Sequence, residues 1–274
     1  MIIRFHCPRW GFEHVPWRTF LKGVKDEGFS GIEWYPFSED ADTGEVIRLL
    51  ADYGLDLCIV MTVRDAPADF SGYLQALERQ LTTHARTGRP LFISAQTGRE
   101  YFTRPQVDEI LGLCGRATEQ TGVPIYQETH RNKWSYAAHA VGPVLDDWPQ
   151  LPLTLDISHW FCVSESYLED QQETVRRAVR HARHIHARVG HTQGPQVWDP
   201  ALDEYADALR AHLDVWDACV RHRRSLGDAV MTMTPEFGPP PYLVKGKRSL
   251  PDDQEQFRLN LWMKRVLEKR YASF

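Results

Sequence analysis

The sequence predicts a closed parallel (β/α)8 barrel, an α/β fold, in a single domain over residues 1–274. Three observations predict it. Eight short β-branched or aromatic runs recur along the chain, and each is followed by an amphipathic helical pattern. The length of 274 residues is close to the ~250 this architecture usually takes. The first run is followed by Pro8, Arg9 and Trp10, where an open doubly wound sheet would carry a glycine-rich phosphate turn.

In order, a strand over Ile2–His6 leads to a helix over Pro16–Glu27, Gly31–Tyr35 to Glu39–Tyr53, Leu55–Met61 to Phe70–Thr87, and Leu91–Ala95 to Arg104–Thr121. Val123–Glu128 then leads to Ser135–Asp147, Leu153–Asp156 to Gln171–Ala182, His184–Arg188 to Ala201–Arg224, and Val230–Glu236 to Pro251–Tyr271. The seventh helix is the clearest. Leu202, Tyr205, Leu209, Leu213, Trp216 and Val220 recur at three- and four-residue steps, while Asp203, Asp207, Arg210 and Asp214 occupy the other face. The eighth repeats this with Phe257, Leu261 and Val266. The longest irregular pieces, His191–Pro200 and Gly238–Pro251, both follow strands.

Composition narrows the function classes. Charged residues at 25% and hydrophobic ones at 42% are ordinary for a globular chain, so disorder and coiled coil are excluded. No apolar run approaches the ~20 residues of a membrane helix, and the N-terminus lacks the pattern of an export signal. Five scattered cysteines with no CxxC spacing argue against a disulfide framework or zinc ribbon, so a cytoplasmic protein is expected. The 32 basic against 37 acidic residues give a net charge of −5, which offers no electrostatic reason to bind nucleic acid.

Barrel enzymes place their chemistry at the C-terminal ends of strands. Here the last four strands end in IYQETHRNKW, LTLDISHWF, HIHARVGH and MTMTPEFGPPP. Glu128, Asp156, His186 and Glu236 therefore sit at or near four successive strand tips, which lie ~5 Å apart sideways. Taken singly, each is more readily read as a solvated or Arg-paired group. Together they suit one divalent ion, because three gathered carboxylates repel one another unless a cation joins them. The mostly hard donor set favours Mn²⁺, Co²⁺ or Mg²⁺, with Zn²⁺ also accommodated.

With ETHR, LDISH, HIHARVG and TPEFG, the chain resembles the xylose-isomerase-like barrels, which include sugar and sugar-phosphate isomerases and epimerases. The resemblance implies that Glu128, Asp156, His186 and Glu236 hold the metal. It also implies that His159 of the D-x-x-H motif, and Arg188 after the seventh-strand histidine, touch substrate. Glu128 and Glu236 would then remove and return a proton next to a carbonyl, through an enediolate that the metal stabilises.

Trp10, Trp34, Trp134, Trp160 and Trp198 follow strand ends, where two or three of them are expected to line a carbohydrate-sized pocket, Trp10 and Trp160 foremost. His130, Arg131 and His191 are loop candidates for substrate contact, and His6 and Glu33 are candidates for orienting ligands. Lys245, Lys247 and Arg248 form a basic cluster that would suit an anionic substrate group. Rival readings are a metal-dependent lyase or decarboxylase of a keto-sugar acid, an apurinic-site endonuclease, and a non-catalytic sugar-binding barrel. Expected partners are a small carbohydrate-like substrate and a second copy of the chain, with neither nucleic acid nor membrane.

Overall fold

Alternation along each strand puts one set of side chains against the helices and the other inside the ring. In the computed structural model, which describes residues 1–244, 250–272 and 274, this produces a closed barrel of eight strands in chain order. The strands are β1 Ile2–Pro8, β2 Gly31–Trp34, β3 Asp56–Thr62, β4 Ile93–Gln96, β5 Ile125–Glu128, β6 Leu153–Leu155, β7 Ala182–His186 and β8 Val230–Thr234. All neighbours pair in parallel, and β1 closes the ring on β8 with Ile2 opposite Val230. The helices are α1 Trp17–Asp26, α2 Thr43–Tyr53, α3 Phe70–Arg86, α4 Arg104–Thr121, α5 Ala138–Asp147, α6 Ile157–Ser164, α7 Gln172–His181, α8 Ala206–Ser225 and α9 Asp252–Tyr271. No helix among the described residues is long and apolar enough to cross a membrane. The predicted cluster of Lys245, Lys247 and Arg248 lies outside the described residues.

Capping accounts for several boundaries that differ from those predicted. Asp42 accepts from the Gly44 and Glu45 amides, so α2 opens at Thr43 rather than Glu39. The largest difference is α6, an eight-residue helix that the sequence pattern did not show. Asp156 is its N-cap, which stops β6 at Leu155 and turns a predicted strand tip into a helix start.

Ile32, Ile59, Ile93, Ile125, Leu153, Ile185 and Met233 are buried in the apolar core. The alternate positions carry His6, Glu33, Ser94, Glu128, Thr154, His184, His186 and Thr234, all buried. Barrel interiors are usually filled by Val, Ile and Leu, so a polar lining marks this interior as more than packing. The register between β6 and β7 shifts at Leu153/Thr154, which leaves Arg183 as an extra residue and sets His184 opposite Thr154. A one-residue slip moves every later side chain to the other face of a strand. This bulge therefore accompanies the inward placement of His184 and His186.

Candidate metal centre

Each of the four expected ligands is anchored by its neighbours. Glu128 ends β5, and its carboxylate accepts from Ser94 Oγ at 3.0 Å and from Gln96 Nε2 at 2.9 Å. Asp156 accepts from the Ser158 amide at 3.0 Å, while Thr129 Oγ1 takes the Asp156 N–H at 2.8 Å and donates to its carbonyl at 2.9 Å. Glu236 lies two residues past β8. Its segment is pinned by Phe237 N donating to Asn260 Oδ1 at 2.7 Å and by Gly238 N donating to Gln196 Oε1 at 2.8 Å.

His186 decides how the group can work. Its Nε2 lies 3.1 Å from Glu33 Oε1 and 3.0 Å from Glu33 Oε2, reaching across the barrel to β2. Its Nδ1 is buried without a hydrogen-bond partner, 3.3 Å from Glu236 Oε2 and 3.6 Å from Glu128 Oε1. A carboxylate on one ring nitrogen that frees the other for a cation is the usual arrangement of a metal-binding histidine. One ligand atom each from Glu128, Asp156 and His186 falls within 4.8 Å of the others, so these three form a cluster that can hold a metal ion. Two further groupings meet the same distance, Glu33 with His184 and His186, and Glu128 with His130 and His159. The first competes for the nitrogen already held by Glu33, and in the second His159 Nε2 faces Arg188 Nη2 at 2.8 Å.

The electrostatics agree with that choice. Burial opposes charge on His186, yet Glu236, Glu33 and Glu128 push its pKa well above the ordinary imidazole value. Burial would also raise Glu128, but the His186 imidazole, with further help from His130 and Ser94, holds it down to about 2. Asp156 is pushed up to about 6, by burial first and Glu236 next, against the Arg188 guanidinium. Arg188 Nη2 lies 2.5 Å from Asp156 Oδ2, and Nη1 lies 3.7 Å from Glu236 Oε2. Even with this cation, the Glu128 and Glu236 carboxylates face an unpartnered imidazole nitrogen beside Asp156. Glu128, Asp156 and His186 form a donor set that fits a divalent ion, while Glu236 lies outside that three-residue grouping.

A cavity of about 210 Å³ is lined by Glu128, Glu236, Arg188 and His130. Trp10, Tyr35, Val60, Met61 and Tyr242 form its apolar wall. Of the substrate contacts expected from sequence, Arg188, His130 and Trp10 line this cavity. The others do not. His159 is fully buried beneath it, with its ring centroid 4.0 Å from that of His130. Trp160 points into the core from α6 and donates to the Ser135 carbonyl at 2.8 Å. His6 lies inside the barrel, with Nε2 3.9 Å from Asp56. Among the other tryptophans, Trp34 and Trp134 are buried and Trp198 is exposed. Ser94, Gln96, Tyr35 and Tyr242 were missed by sequence reasoning. The alternating polar pair Ser94 and Gln96 in an otherwise apolar run was the available signal.

No family model matches the sequence, and no curated protein matches it. Solved structures do match in shape. The probable 3-DHS dehydratase AsbF from Bacillus anthracis is 17% identical with a TM-score of 0.62, over 97% of this chain and 99% of that one. The 3-keto-D-glucoside 4-epimerase YcjR from E. coli is 12% identical with a TM-score of 0.61, over 96% and 100%. A xylose isomerase-like TIM barrel protein from Mycobacterium smegmatis, in complex with magnesium, is 14% identical with a TM-score of 0.56, over 96% and 97%. The chain thus has the xylose-isomerase-like TIM barrel fold.

Proposed function

We propose that this protein is a divalent-metal-dependent isomerase or epimerase that moves a proton next to the carbonyl of a small sugar or keto-sugar. The observation that carries the reading is His186, fixed by Glu33, with its other nitrogen beside Glu128 and Glu236, two carboxylates that line a cavity. The epimerase and dehydratase named among the similar structures, and the magnesium in the third, support it.

Glu128, Asp156, His186 and Glu236 would hold the ion, with Mn²⁺, Mg²⁺ or Co²⁺ matching their hard oxygens. When bound, such an ion supplies positive charge where negative charge develops on the carbonyl and adjacent hydroxyl oxygens. Glu236 faces the cavity with its carboxylate within ion-pair distance of His186 and Arg188, and among the described residues no side-chain hydrogen bond like those of Ser94 and Gln96 to Glu128 restrains it. We assign it removal of the proton from carbon. Glu128 comes from a non-adjacent strand and approaches from another side. Return of the proton from that side inverts the carbon, whereas return by Glu236 to the neighbouring carbon interconverts aldose and ketose. Arg188 orients substrate oxygens, and the apolar wall packs against sugar C–H surfaces while excluding water.

The test is elemental analysis of the purified protein beside Glu128→Gln, Asp156→Asn, His186→Ala and Glu236→Gln, followed by keto-sugars in D₂O. Near-stoichiometric metal in the wild type that is lost in the variants, with deuterium entering next to the carbonyl, is the expected result. A wild type that takes up no divalent ion on reconstitution overturns the reading. Loss of water or carbon dioxide from the product would replace isomerase with lyase at the same site.

A further inference from the structure

We propose that the substrate carries a carboxylate and that Arg131 is the specificity residue that reads it. This deepens the isomerase or epimerase reading and rests on it. Directly after Glu128 the chain makes a turn, His130-Arg131-Asn132-Lys133, with Asn132 at a φ of 66°. The turn is built into the barrel top. Lys133 N donates to the His130 carbonyl at 3.2 Å, Ser135 Oγ donates to the Glu128 carbonyl, and Trp160 Nε1 clamps the Ser135 carbonyl at 2.8 Å.

From this turn two cations reach residues of the cavity wall without lining the cavity themselves. Lys133 Nζ donates to Thr62 Oγ1 at 2.6 Å, and the Arg131 guanidinium carbon lies 5.0 Å from the centroid of the Tyr242 ring. Thr62 and Tyr242 both line the cavity. Among the described residues, no carboxylate lies within ion-pair distance of either cation. Arg131 Nη1 is shielded from water with no hydrogen-bond partner at all.

Arg188, whose guanidinium carbon lies 4.9 Å from the same ring, is different because Asp156 and Glu236 already engage it. A shielded guanidinium N–H without an acceptor is costly to keep, and a ligand oxygen removes that cost. The fork of an arginine held over an aromatic face offers two in-plane donors, which match the two oxygens of a planar carboxylate. The same charge would draw an anion to a protein whose net charge is −5.

A matched set of probes tests this: D-fructose, D-fructuronate and D-fructose 6-phosphate, titrated calorimetrically, with and without added Mn²⁺, into the wild type and into Arg131→Ala and Arg131→Lys. The expected result is fructuronate binding about tenfold or more tighter than fructose, as a charged hydrogen-bond pair gives. That preference should be erased in Arg131→Ala and partly kept in Arg131→Lys. Equal binding of fructose and fructuronate, an undiminished preference in Arg131→Ala, or tighter binding of the phosphate overturns the proposal. The underlying reading fails separately. Absence of metal uptake and of deuterium exchange would remove the isomerase, while the ratio of acid to neutral binding still answers for Arg131.

Discussion

The two halves of the barrel mouth contribute different things. Strands β5 to β8 and the segments after them supply the groups proposed to act, Glu128, Asp156, His186, Arg188 and Glu236. Strands β1 to β4 and their loops supply the apolar wall of Trp10, Tyr35, Val60 and Met61. Yet the first half also reaches over to fix the second, through Glu33 on His186 and through Ser94 and Gln96 on Glu128. The lesson is that acidic side chains alone do not make a centre. Their carboxylates must be aimed by neighbouring groups, and for Glu128 and His186 those groups come from strands β2 and β4, which carry none of the expected ligands.

The largest effect that would sharpen this comparison lies in how the reactive half is braced. His212 on α8 is fully buried and accepts the Gly190 N–H at 3.2 Å through Nε2, while Nδ1 donates to the Ala208 carbonyl at 2.8 Å. It thus holds the segment just after Arg188 in a form that requires a neutral ring. Burial lowers its pKa to about 4, against about 6.5 in an unfolded chain. Between these values the unfolded chain binds the extra proton. The stabilisation is therefore complete above pH 6.5 and disappears as pH falls through 4, about 3.4 kcal/mol in all, of which about 2–3 kcal/mol is lost between pH 7 and pH 4.5. Urea unfolding at pH 7 and pH 4.5 should show His212→Gln losing less stability than wild type by roughly that amount. Parallel losses in the two proteins would show that His212 does not set the brace.

A smaller effect crosses between the halves. Glu33→Gln removes the charge behind His186 Nε2 while keeping its shape, and metal affinity should fall about 10- to 100-fold. Raising Mn²⁺ should restore activity. Unchanged Mn²⁺ affinity in a competition titration with a chelator would mean that the reactive half holds its metal unaided.

How much of this was legible follows from the same division. The barrel could be read because each strand and helix repeats its own periodicity. Four ligands were expected because carboxylates gathered at successive strand tips repel one another unless a cation joins them, and three of them, Glu128, Asp156 and His186, come together in the structure. The aiming groups were harder. Glu33 was visible only as a candidate, and Ser94 and Gln96 are neutral residues whose meaning depends on which way β4 faces. Helix α6 was hidden because ISHWFCVS is short and mostly apolar, so no helical period can be told from a strand within it. The tryptophans show the same limit. Trp34 and Tyr35 are adjacent, so alternation sends one away from the site, and Trp34 donates to Glu39 at 3.1 Å while Tyr35 lines the cavity. Spacing after a strand end does not say which ring faces the ligand.

The wall provides the smallest and most discriminating test of the comparison. Val60 lies on β3 and lines the cavity without touching any of the expected ligands through a hydrogen bond or ion pair. Val60→Ala removes two methyl carbons that would pack equally well against bound substrate and against the transition state. Only part of that surface is covered in the complex, so roughly 1 kcal/mol of binding should be lost. Because ground state and transition state lose the same amount, KM should rise about fivefold with kcat unchanged. A fall in kcat at constant KM would instead place the wall among the groups that act on the reacting carbon, and the division between a half that shapes and a half that reacts would have to be abandoned.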